Sequence, residues 1–169
     1  MSVLVYVPKK IAEEIVKRGL SLEDVVLETL AKLAKLDPRV VVEARVELAE
    51  KYLDEGVKLV DKDPIQASEK LYKAAEECVK ALTLYLSLED ILKRVDERGR
   101  WSVTELEKAV LEISKKLGEW FRKAWDSAWV LHVWGFHEAK LDSEDVKARL
   151  QDLKELVEKT SSAIHAGIR

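Results

Sequence analysis

Apolar residues recur along most of the chain at spacings of three and four, the signature of amphipathic helices. From Pro38 to about Val60 the stripe runs Val42, Val46, Ala49, Leu53, Val57 and Val60. From Pro64 to about Leu86 a stripe of smaller residues follows: Ala67, Leu71, Ala74, Cys78, Ala81 and Tyr85. Asp37-Pro38 and Asp63-Pro64 use one device twice, since aspartate caps the free amides of the first turn and proline occupies a position that needs no amide bond. The short turn between the two helices predicts antiparallel packing, and the small stripe permits close approach.

Further elements follow the same logic. A short helix reaches Val95, and Asp96 to Trp101, with Arg98, Gly99 and Arg100, reads as a loop. Ser102 to Glu105 spells S-V-T-E, a capping box that restarts helix to about Leu117. Gly118 breaks or bends the chain before an aromatic helix from Glu119 to about Ala139, and Ser143 is the expected cap of a last helix with the face Val146, Leu150, Leu153 and Val157. At the other end, Val3, Val5 and Val7 alternate with Leu4 and Tyr6 over residues 2–7 in a strand-like pattern. Pro8 then opens a helix to about Arg18, Gly19 ends it, and Ser21 caps a second helix to about Leu36. The expectation is an all-α protein: residues 1–37 as an N-terminal strand and helical hairpin, residues 38–169 as an antiparallel bundle of four or five helices.

With 169 residues and 47% apolar content the chain can bury a real core. Its single cysteine, Cys78, excludes an intrachain disulfide. No apolar run is long enough to span a bilayer and no signal peptide pattern opens the chain, so a cytoplasmic protein with no membrane partner is expected. The net charge of −3 advertises no global nucleic-acid field. The absence of asparagine and the abundance of charge match a balance associated with hyperthermophile proteins.

Chemistry concentrates in the aromatic helix, where Trp120, Trp125, Trp129 and Trp134 accompany Phe121, Phe136, His132 and His137. On a regular helix Trp125, Trp129, His132 and Phe136 share one face, which suits a helix central in its bundle, at a subunit contact, or both. A spacing of five places His132 and His137 about 140° apart around such a helix. They cannot then hold one metal, and no metal or cofactor is expected; a twofold contact between identical helices is what would bring them together with Glu138. A hydrogen-bonded core histidine against tryptophan is the alternative for His132. Arg98, Arg100, Arg122 and Lys123 are the candidate phosphate contacts, although the interleaved carboxylates also fit a solvated surface. Glu69 with Lys73 and Glu76 with Lys80 have the spacing of local helical pairs. Cys78 is expected to be inert packing. No Gly-rich phosphate loop or nucleophile elbow occurs.

The blocks D-P-I-Q-A-S-E-K-L-Y-K-A-A-E-E-C-V-K-A-L (63–82) and W-D-S-A-W-V-L-H-V-W-G-F-H-E-A-K-L-D (125–142) resemble the archaeal PaREP family, placed in the HEPN superfamily of helical bundles. Many HEPN proteins are dimeric ribonucleases using an Arg, four intervening residues and a His. The resemblance sets His137 at the histidine and His132 where arginine would stand. Arginine is always charged and bidentate, whereas histidine is mostly neutral and offers at most two donors. The resemblance, with histidine in place of the arginine, therefore implies a non-catalytic, homodimeric HEPN-like module that binds RNA, a nucleotide or a protein. The competing expectation is a metal-independent endoribonuclease using His137 with His132 and Glu138, and a third is one half of a toxin–antitoxin pair with a nucleotidyltransferase. The first 37 residues resemble ribbon-helix-helix proteins in element order. Both faces of the strand are apolar, which implies a dimerisation or docking element rather than a DNA reader.

Overall fold

The computed structural model describes residues 3–167. Helices α1 (Lys9–Lys17) and α2 (Leu22–Leu33) precede α3 (Pro38–Leu59), α4 (Pro64–Tyr85), α5 (Glu89–Arg98), α6 (Val103–Leu117), α7 (Trp120–Val130), a π-helical segment (Leu131–His137) and α8 (Ser143–His165). The protein is thus all-α. The expected strand is absent among the described residues: Val3 to Val7 carry no regular secondary structure, and Ser2 lies outside the described residues. An alternating pattern becomes a strand only with a neighbouring ladder, and the described chain offers no second strand.

The chain divides into two compact units between Asp37 and Pro38. In the first, Gly19 takes a positive φ after α1, and the Ser21 hydroxyl accepts a hydrogen bond from the Asp24 amide. Neither α1 nor α2 buries a residue.

In the second unit α4 is the central element, packed against α3, α6, α7, α8 and the π segment. Thirteen of its residues are buried, against four in α7, so the small-residue helix and not the aromatic one occupies the middle. Small side chains explain this, because Ala67, Ala74, Ala75, Cys78 and Ala81 let neighbours approach from several sides at once. Helix α3 turns Tyr52 and Gly56 inward in its C-terminal half while Leu53 and Val57 drift outward. A Cβ on Gly56 would sit 2.8 Å from Leu71 Cγ, so glycine sets the α3–α4 separation there.

Capping follows sequence in part. Asp63 accepts from the Gln66 amide. Ser102 does not cap α6 through the backbone, and its hydroxyl instead donates to the Glu105 carboxylate. The cap of α8 is Asp142, which accepts from the Asp145 amide while Asp145 accepts from the Asp142 amide. A carboxylate accepts more strongly than a hydroxyl, and the displaced Ser143 hydroxyl donates to the Val60 carbonyl.

Candidate functional site

The aromatic helix does not run on as a regular helix. After Val130 it widens into the π segment, whose hydrogen bonds reach back five residues rather than four. Gly135 makes room for this turn: a Cβ there would collide with the Ser68 hydroxyl and lie 2.6 Å from Ser68 Cβ. Lys140 donates its amide to the Trp134 carbonyl, and Ala139 ends the segment at φ 49°, a left-handed conformation that costs a non-glycine residue.

The wide turn has a direct chemical result. His137 Nε2 lies 3.1 Å from His132 Nε2 within one chain. A five-residue spacing holds imidazoles apart on an α-helix but brings them together here, which overturns both the expected 140° separation and the need for a second subunit to unite them. His132 Nδ1 lies 3.2 Å from Glu69 Oε2 on α4. A carboxylate only accepts, so His132 Nδ1 carries the proton and donates. With a single ring proton, on Nδ1, His132 presents at Nε2 a lone pair that accepts the Nε2 proton of His137. Glu69, His132 and His137 thus stand in a hydrogen-bonded series leading from a half-buried carboxylate to an exposed imidazole.

Packing holds the middle imidazole. The Tyr72 ring stacks on His132 with centroids 3.9 Å apart and planes 24° from parallel. Trp129 and Phe136 lie beside the same ring at 5.4 and 6.4 Å. Burial, and after it the Glu76, Glu69 and Glu107 carboxylates, push the Tyr72 phenol far above its ordinary range, so it remains a neutral platform. Trp125 packs beneath Tyr72 and donates its indole N–H to Glu107.

Other expected site residues stand elsewhere. Glu138 is exposed next to His137. Arg98 and Arg100 precede α6 and Arg122 and Lys123 follow it, so they form two separate groups at opposite ends of a helix about 22 Å long. Arg98 pairs with Glu105, Arg122 with Asp126 and Glu119, and Arg100 and Lys123 are exposed. Arg122 also stands ten residues, about 15 Å of helix, before His132. Glu69 and Tyr72 were not legible as site residues, because Glu69 has a local lysine four residues on and Tyr72 is an ordinary core position. The isolated Gly135 in a helical run is the one sequence signal for the distortion that unites them. Cys78 is buried, and that burial pushes its thiol up to about 12, as inert packing requires.

The site lies within the part of the chain that known proteins share. The model of the Archaeal PaREP1/PaREP8 family matches residues 44–157. The chain belongs to this family. Glu69, Tyr72, His132 and His137 all fall inside the match, whereas the N-terminal hairpin falls outside it. The chain is also similar to a Sulfolobus solfataricus protein of known crystal structure, with 37% identity and a TM-score of 0.64 over 69% of this chain and 96% of that one. The solution structure of the same structural-genomics target, an Orf c02003 protein, gives 37% identity and a TM-score of 0.61 over 69% and 91%. No curated protein matches. PaREP1/PaREP8 membership and the all-α architecture therefore agree with the sequence reading, and no helix among the described residues is long and apolar enough to cross a membrane.

Proposed function

We propose that this PaREP1/PaREP8 protein is a HEPN-like, metal-independent endoribonuclease whose acid–base group is the Glu69–His132–His137 relay. The observation that carries the reading is the 3.1 Å contact between the two imidazoles, with Glu69 behind them and solvent in front. His137 stands at the histidine of the superfamily motif. His132, paired with Glu69, becomes cationic only on taking up the relayed proton, and in that form supplies the positive charge that the missing arginine would otherwise bring. An exposed relay end suits a polymer lying across the surface better than a metabolite enclosed in a cavity, and the half-exposed Trp134 on the same segment offers a stacking face for a base.

In this mechanism the free Nδ1 of His137 takes the proton of an RNA 2′-hydroxyl as its oxygen attacks the adjacent phosphorus. The Nε2 proton of His137 passes to His132 Nε2, and Glu69 stabilises the resulting imidazolium. The bond to the 5′-oxygen breaks, that oxygen takes a proton from solvent, and a 2′,3′-cyclic phosphate remains. The test is cleavage of single-stranded RNA in the presence of chelator. Wild type is expected to yield cyclic-phosphate ends, His137→Ala to lose at least about 100-fold in rate, and Glu69→Gln to lose less. Full activity in His137→Ala, or none in wild type, would reject the reading.

A second reading is favoured by the first unit. Val3, Leu4, Val5, Tyr6, Ile11, Val16, Leu30 and Leu33 are exposed, and α1 and α2 have no buried residue. So small a unit does not support itself without a cover. Here the hairpin is a dimerisation element and the protein a non-catalytic binding module for RNA, a nucleotide or a partner such as a nucleotidyltransferase. Light scattering is expected to give a dimer for the full chain and monomer for Leu4→Asp/Leu33→Asp; a monomeric wild type would end this reading.

A further inference from the structure

We propose that His132 Nε2 and His137 Nε2 form a two-histidine site for a divalent transition metal of the zinc type, with Glu69 holding His132 in the ligating tautomer. The inference uses the same imidazole pair as the relay but does not depend on RNA cleavage. Three features on the page point to it. First, the π turn does for a spacing of five what an α-helix does for a spacing of four, setting two imidazoles on one face as metal-binding histidine pairs require. Second, two nitrogens 3.1 Å apart, each about 2.0–2.1 Å from a common ion, subtend about 100° at it, between octahedral and tetrahedral geometry. Third, ligating histidines usually donate their other ring N–H to a carboxylate, and Glu69 already stands at His132 Nδ1 at 3.2 Å.

Stacking on Tyr72 and packing against Trp129 and Phe136 fix the His132 ring before any ion arrives, which lowers the ordering cost of binding. Among the described residues no group of three or more His, Cys, Asp or Glu side chains is arranged to hold a metal. The remaining coordination positions therefore belong to water, and the site is open and exchangeable rather than a closed structural centre. Metal and relay proton compete for the same lone pairs, so the ion switches off proton transfer through them. A metal concentration that fills the site is then an inhibitor of the relay.

The test is calorimetric titration of the untagged full-length chain with zinc chloride, followed by nickel chloride on a fresh sample. One ion per chain is expected. His132→Ala and His137→Ala should each weaken binding at least about tenfold, and Glu69→Gln by about 10- to 100-fold. His165→Ala, which removes the one histidine outside the pair, should leave it unchanged. Circular dichroism checks that each variant keeps its helices, and broadening of the His137 ring resonances by nickel locates the ion in the unmodified protein. Binding unaffected by His132→Ala and His137→Ala, nickel broadening confined to His165, or no zinc heat at millimolar concentration would each overturn the proposal. RNA cleavage in chelator stands or falls separately: cleavage without zinc binding removes only the metal site, and zinc binding without cleavage removes only the ribonuclease.

Discussion

Gly135 lies against Ser68, and this contact between the π segment and α4 is what permits His132 and His137 to meet. A Cβ at position 135 would lie 2.6 Å from Ser68 Cβ, and Ser68 is fully buried on a rigid helix with its hydroxyl donated to the Pro64 carbonyl. Gly135→Ala should therefore destabilise by about 1–3 kcal/mol, the usual cost of overpacking, and should move the two imidazoles apart. Ser68→Gly removes the obstructing Cβ, so the double variant should recover most of the loss beyond the helix-propensity cost of the new glycine. Denaturant unfolding of the four proteins checks this; additive effects would show that the contact does not control the turn.

Ala139 gives a prediction of opposite sign. Its φ of 49° places a side chain in the left-handed region at the end of the π segment. Ala139→Gly should stabilise by up to about 1 kcal/mol, since glycine adopts this conformation without the Cβ penalty but loses more entropy on folding. The thermal midpoint should rise, with no change in helix content; a drop would mean that the methyl group matters more than the strain.

Arg45 and Glu77 form a buried pair at 2.7 Å, and Lys80, also buried, reaches Glu76 at 2.6 Å and Glu77 at 3.4 Å. Glu77→Ala strips a carboxylate from two buried cations, a change that costs about 3–5 kcal/mol. Glu112→Ala, which removes the partner of exposed Lys115, should cost less than about 1 kcal/mol. Chemical denaturation compares them directly. Equal losses would show that the buried network carries no special weight.

Glu105 supplies a pH dependence. The Ser102 hydroxyl, and after it the Arg98 guanidinium, hold its carboxyl below the ordinary range against an opposing burial effect. A depressed folded value means that the unfolded chain takes up the proton first. The stabilisation is therefore complete above the unfolded value of about 4.3 and is lost as pH falls through the folded one. Melting temperature followed from pH 7 to pH 2 should fall more steeply below about pH 4 for wild type than for Ser102→Ala. Parallel curves would remove Glu105 from the acid response.

How much of this was legible before folding depends on how far each interaction reaches along the chain. Most helix positions, the Ser21 and Asp63 caps, the break at Gly118 and the family blocks are readable, because each is written in a few consecutive residues whose backbone preferences act locally; α5 runs on through Asp96 to Arg98, which read as loop. Where several local solutions compete, the local signal misleads: Ser143 stands beside Asp142, the stronger acceptor, which caps α8, and Val3 to Val7 carry strand periodicity with no strand among the described residues to pair with. Tertiary contact alone decided the site. Glu69 turned from a neighbouring lysine to an imidazole 63 residues away, and the aromatic helix widened where Gly135 could settle onto Ser68. Periodicity describes a helix as though it were isolated; the number of residues in a turn changes only when another helix is close enough to press on it.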